Sequence, residues 1–138
     1  MYRRACWEQV HPLAKGPGWD TIDEVRANAR GWQTRTFADL LLIQHRPTGA
    51  VDGTWTNWFK NGRANYITGY HPAFMLAKCL KRLWCEPRII AAAGLWAGFC
   101  CGYLRREPHV ADPDSVRYLR QQQWRYLLLR SSIYRRRT

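Results

Sequence analysis

Three carboxylates stand close together in Gly18-Trp19-Asp20-Thr21-Ile22-Asp23-Glu24, at the start of a segment with helical periodicity. Asp20 and Thr21 are helix-capping types, and Asp23 and Glu24 suit a first helical turn, where unpaired backbone N–H groups favour negative charge. A carboxylate held ionised at such a place can take a proton from a nearby hydroxyl. It can equally serve only as a cap, and the residues alone leave both roles open. A second candidate pair is His45-Arg46, where an apolar run gives way to a loop, a position that often carries function. A neutral imidazole there could ligate a divalent ion such as Mn²⁺, and the guanidinium could meet phosphate. The alternative for this pair is a surface His beside a solvated Arg. His11, His71 and His109 belong to no constellation, no Gly-rich phosphate loop is present, and no Ser/His/Asp order suggests a hydrolase.

The elements that must carry these groups fall into two regions. Residues 1–49 read as α/β. Arg4 to Leu13 is a short amphipathic stretch ending near Pro12. A Gly/Pro-rich loop follows, and then a helix whose Ile22, Val25 and Ala29 form one apolar face. Gly31 sits where a left-handed residue closes a helix. Trp32 to Phe37 and Leu40 to Gln44 read as strands, the second apolar throughout, as in a strand covered on both faces. Residues 50–138 read as all-helical. Helices are expected over Thr54 to Tyr70, His71 to about Cys85, the run Ile89 to Leu104, and from Asp112-Pro113 to about Arg130. Gly62 is unfavourable inside the first of these.

Charge divides the same way. The chain carries +12 over 138 residues, of which residues 51–138 hold +10. That second region also holds the longest apolar run, and basic with apolar points to an anionic membrane surface ahead of nucleic acid. A nucleic-acid module would interleave its cations with aromatics on a polar face, whereas here they flank an apolar run. The five cysteines are odd in number and form no CxxC pair, which implies reduced, mostly buried thiols and no zinc site. MYRRACWEQV has no apolar core of a signal peptide.

Ile89 to Leu104 is sixteen uncharged residues between Arg88 and Arg105-Arg106. As a helix it rises roughly 24 Å against a hydrocarbon core of about 30 Å, so an interfacial or shallow re-entrant seat is favoured over a full span. Gly94, Gly98 and Gly102, four apart, form a smooth ridge that another helix could approach closely. A buried helix of a soluble bundle would use the same ridge.

Gly18 to Arg26 with Gly31-Trp32 after it resembles a segment of bacterial family 2 glycosyltransferases. There an acidic pair opens a helix late in the GT-A, Rossmann-like fold, an Arg follows on that helix, and a Gly-aromatic turn leads into a strand. Tyr2-Arg3-Arg4, His45-Arg46-Pro47-Thr48-Gly49 and Gly69-Tyr70-His71-Pro72 are similar to segments around that motif in a membrane-associated subgroup, so the likeness runs over nearly all of the chain. Trp19 stands where the first acid of the pair is usual, and His11-Pro12 where Gly-Gly is usual.

The resemblance implies that residues 1–49 are the acceptor-side, C-terminal part of a GT-A domain and residues 50–138 a membrane-associated helical region. It implies transfer of a sugar from a nucleotide-sugar donor to a lipid-linked or polysaccharide acceptor. Asp20 would be the general base, with Asp23 and Glu24 as the next choices. Trp19, Arg26 and Arg46 would be near substrate, Arg26 orienting a carboxylate, and Trp19 or Trp32 could stack on a sugar ring. A divalent metal, Mn²⁺ or Mg²⁺, would serve the intact enzyme, with His45 near it. The Asp-x-Asp that holds metal and donor in that family is missing upstream of Asp20. The expectation is therefore a fragment without the donor half and inactive alone, at the cytoplasmic face of a bacterial inner membrane, with no nucleic-acid partner.

Overall fold

The helix start signals read at Pro72 and at Asp112-Pro113 are met. In the computed structural model, which describes residues 2–34, 43, 53–109 and 112–134, α1 spans Arg4–Val10, α2 Trp19–Ala29, α3 Thr54–Ile67, α4 Pro72–Arg82, α5 Arg88–Leu104 and α6 Pro113–Leu127. Pro72 and Pro113 each occupy a first-turn position, where a missing N–H costs nothing. Asp112 caps α6, accepting from the Ser115 N–H at 2.9 Å. α2 closes as expected at Gly31, whose φ of +85° suits a residue without Cβ; its N–H donates to the Asn28 carbonyl and the Trp32 N–H to the Ala27 carbonyl.

The α/β expectation is overturned. The described residues form six α-helices and no strand, so they build an all-helical unit and not a sheet-based GT-A domain. Trp32, Gln33 and Thr34 are irregular, and the remaining residues of the two expected strands, apart from Ile43, lie outside the described residues. A uniformly apolar run such as Leu40–Ile43 carries no periodicity that separates strand from buried helix or coil.

The centre of the fold is α3 against α5. The glycine ridge is filled from within the chain: a Cβ on Gly98 would overlap the Phe59 carbonyl, one on Gly102 the Tyr66 ring, and one on Gly94 would lie 2.9 Å from the Trp58 Cβ. From the other side, a Cβ on Gly62 would overlap the Leu95 carbonyl. Gly62, an unfavourable helix residue by propensity, is thus required by the approach of two backbones. Tyr66, Ile67, Met75, Cys79, Leu95, Phe99 and Leu119 bury together around this crossing, drawn from α3, α4, α5 and α6. α2 joins the same core through Val25, while α1 makes a smaller cluster of Cys6 and Val10 with Ala27 and Trp32. The inner face of α2 therefore runs through Ile22, Asp23, Val25 and Ala27, and Ala29 is exposed.

α4 begins at a histidine cap. His71 Nδ1 accepts from the Ala73 N–H at 3.1 Å, which requires the neutral ring, and the His71 N–H donates to Gln123 Oε1 of α6 at 2.8 Å. Burial, then the nearby Arg120, lower the His71 pKa from its ordinary value. A base whose folded-state pKa is depressed contributes stability above the unfolded value, and that stability is lost as pH falls through the folded one. The thermal midpoint is thus expected to fall as pH drops from about 7.5 to about 5. His71→Asn, which keeps a capping oxygen, should remove the part of that slope due to this ring; an unchanged slope in the variant would show that His71 is not the titrating group.

Candidate functional site

Of the sequence candidates, Trp19, Asp20, Asp23 and Arg26 lie on one helix, α2. Gly18 precedes the helix in the left-handed region, φ +78°, packed against the Thr68 methyl at the end of α3. Trp19 and Asp20 then open the first turn, and both are exposed. Asp20 is not the N-cap: Gly18 is, with no side-chain cap, and the Asp20 Oδ1 accepts from the N–H of its neighbour Thr21 at 2.8 Å. The capping alternative for Asp20 therefore falls. Its carboxylate stands on the positive end of an eleven-residue helix, facing solvent.

Asp23 has a different place. It is completely buried, and its Oδ1 accepts from the Ala14 N–H at 3.0 Å, which ties the loop before α2 to the helix. Arg26 Nη1 stands 3.8 Å from that same oxygen. A sealed carboxylate cannot meet an acceptor hydroxyl, so the fallback role for Asp23 gives way to a structural one. Glu24 is exposed on the outer side of the helix.

Arg26 is held by protein on three sides. Besides Asp23, its Nη1 donates to the Pro12 carbonyl at 3.2 Å and its Nε to Asp112 Oδ2 at 3.3 Å, joining α2 to the cap of α6. It orients carboxylates and leaves little of its fork for a substrate. Trp32 is likewise occupied, its indole N–H donating to Gln9 Oε1 at 2.8 Å. Trp19, half-exposed, stands next to Asp20 in the first turn. His45 and Arg46 lie outside the described residues. Among the described residues no set of three His, Cys, Asp or Glu side chains could hold a metal ion.

Asp112 shows how tightly this corner is tied. Burial works to raise its pKa, but the Ser115 N–H and hydroxyl and Arg26 outweigh it, so the net shift is downward. The carboxylate form is the one the fold uses. The contribution is present above the ordinary carboxylate value and lost as pH falls through the lowered one. Acid unfolding below about pH 4 should therefore be shallower in Asp112→Asn, an outcome readable by circular dichroism across an acid titration.

Two features escaped the sequence reading. Lys78 of α4 turns inward: it stands 5.0 Å from the Tyr70 ring centre and donates to Asn65 Oδ1 at 3.4 Å, and burial lowers its pKa. Conversely, Leu76, Leu80 and Leu83 are exposed, while Phe74, Met75 and Cys79 fill the interior. The spacing of 76, 80 and 83 is itself a helical stripe, so the signal for a second apolar face of α4 was present. The cysteines are all free thiols, Cys6 and Cys79 buried, Cys85 exposed, Cys100 and Cys101 part-buried.

No helix among the described residues is long and apolar enough to cross a membrane. A scan against protein-family models, a search of curated proteins and a search of solved structures each return no match for this chain.

Proposed function

We propose that this chain supplies the acceptor-side, membrane-seated part of a glycosyltransferase, with Asp20 as the base that accepts the proton of the attacking hydroxyl. The observation that carries this is the contrast between two acids three residues apart: Asp20 is exposed at a helix N-terminus, whereas Asp23 and Arg26 are consumed in holding it there. The sugar-transfer chemistry itself rests on the motif Gly18 to Arg26 with Gly31-Trp32. The proposal does not extend to a GT-A sheet. The acceptor hydroxyl would lie over the first turn of α2, with Trp19 beside it as a stacking face. The O–H bond breaks towards Asp20 as the oxygen bonds to the anomeric carbon and the nucleotide diphosphate departs with the electron pair. Donor nucleotide sugar and any divalent ion belong to a part of the enzyme outside residues 1–138, and the site of action is the cytoplasmic face of a bacterial membrane.

The test is sugar transfer in membranes by a polypeptide that carries this segment together with a donor-binding half, comparing wild type with Asp20→Asn. A large fall in rate with unchanged protein level is expected, and an undiminished rate would end this reading. A second reading, a basic membrane-surface protein without catalysis, is favoured by the exposed apolar residues of α4 and α5. It predicts membrane binding with no dependence of any activity on Asp20.

A further inference from the structure

The outward stripes of α4 and α5 form one continuous apolar surface. Pro72, at the start of α4, lies with Trp96, Cys100, Tyr103 and Leu104 of α5 around an apolar groove of about 370 Å³, so the helices run antiparallel. From Pro72 the stripe continues through Leu76, Leu80 and Leu83. From Leu104 it runs back through Trp96 to Ile89. Trp84 and Ile89, at the turn between the helices, are 80% and 75% exposed, and Leu104 at the far end 85%. The opposite side of α5 is taken by α3, through the glycines, and among the described residues nothing covers this face. Single exposed apolar residues are ordinary, but a stripe along two packed helices marks an interaction surface.

Its frame identifies the occupant. Exposed Lys81 and Arg88 stand at the turn end, Arg105 and Arg106 at the other. Residues 72–106 hold six cations and one acid. We infer that the α4–α5 face docks flat on an anionic lipid bilayer, burying its apolar side chains at the level of the headgroups while the end cations pair with lipid phosphates. A second copy of the chain is disfavoured as the occupant, because both surfaces would bring the same positive charge to the contact. A nucleic acid would satisfy the cations but offers nothing to the leucine stripe. Trp84, Trp96 and Tyr103 are of the amphipathic type that sits at such a boundary. α5, rising roughly 26 Å over its length, lies along the surface and does not cross it. This inference deepens the membrane part of the proposed function and is independent of proton transfer at Asp20.

The experiment is flotation of the purified 138-residue chain with vesicles of phosphatidylcholine alone and of phosphatidylcholine with about 30% phosphatidylglycerol. Expected is binding at least about tenfold tighter to the anionic vesicles, weakening as salt rises from about 0.1 to about 0.5 M. Leu80→Ser with Trp84→Ser should lose about tenfold or more while keeping the helical circular dichroism of the wild type, since both side chains are exposed. Trp7→Ser on α1 should bind as the wild type does. Arg105→Gln with Arg106→Gln should lose the anionic preference. Equal binding to both vesicle types, unchanged binding by the Leu80/Trp84 variant, or a dimer that buries this face and ignores lipid would each overturn the inference. Asp20→Asn should float normally, so loss of transfer with retained flotation indicts the chemistry alone, and loss of flotation with retained Asp20-dependent transfer indicts the face alone.

Discussion

Gly98→Ala is expected to lower the thermal midpoint by about 10 °C, against the direction that helix propensity gives. In an unconstrained helix interior, alanine for glycine stabilises by roughly 0.5–1 kcal/mol, because glycine loses more backbone freedom on folding. At position 98 the new methyl would meet the Phe59 carbonyl and, at 2.9 Å, the Arg63 nitrogen. Both are backbone atoms of α3 and cannot rotate away as a flexible side chain would. α3 and α5 must then separate, and the packing of Phe99 and Leu95, both almost fully buried, loosens with them. Overpacking of this kind costs about 2–3 kcal/mol, which outweighs the propensity gain. Ala93→Gly, on the exposed side of the same helix, should cost about 1 kcal/mol in the ordinary sense. A Gly98→Ala protein more stable than wild type would mean that the two backbones do not approach as described.

Asp20→Asn is expected to reduce sugar transfer by about a hundredfold or more, the range over which a positioned base acts. The amide keeps the size and the contact with the Thr21 N–H but cannot take up a proton at neutral pH. Fold stability should scarcely change, because Asp20 is exposed and its hydrogen bond with the Thr21 N–H is local. Asp23→Ala gives the opposite profile. It removes the acceptor of the Ala14 N–H and the buried charge beside Arg26, with an expected stability loss of about 1–3 kcal/mol. The rate per folded molecule should move much less. Urea unfolding read beside transfer rate separates the two acids. If Asp23→Ala abolished transfer in fully folded protein and Asp20→Asn did not, the roles would be exchanged.

Sequence periodicity located the helices well where caps and prolines mark their ends. His71-Pro72 and Asp112-Pro113 are single-residue signals, and α4 and α6 begin there. The glycine spacing of α5 foretold a close helix neighbour, though it could not say that the neighbour is α3 of the same chain. What failed was the class of the N-terminal region. The expectation of strands came from an apolar run and a family likeness, and neither states which backbone conformation satisfies the peptide groups. The site was legible by composition only in part. Three acids at one helix start look equivalent as letters. Burial separates them, because α2 turns Asp23 inward with Ile22 while Asp20 and Glu24 face out. Lys78 and Leu80 were not legible for the same reason: α4 has apolar residues on two sides, and only the packing decides which side is interior.

The crossing of α3 and α5 also inverts the usual sense of what a sequence position tolerates. Along the outward stripe of α5, one bulky hydrocarbon can stand for another, since a fluid surface or open solvent accepts many shapes. At Gly94, Gly98 and Gly102 the space is already filled by α3, by its main chain at Gly98 and first by the Trp58 and Tyr66 side chains at the other two, and even the smallest side chain arrives second. Mutational freedom in this helix should therefore be greatest at its large outward residues, such as Ile89, Trp96 and Leu104, and least where the residue is little more than hydrogen.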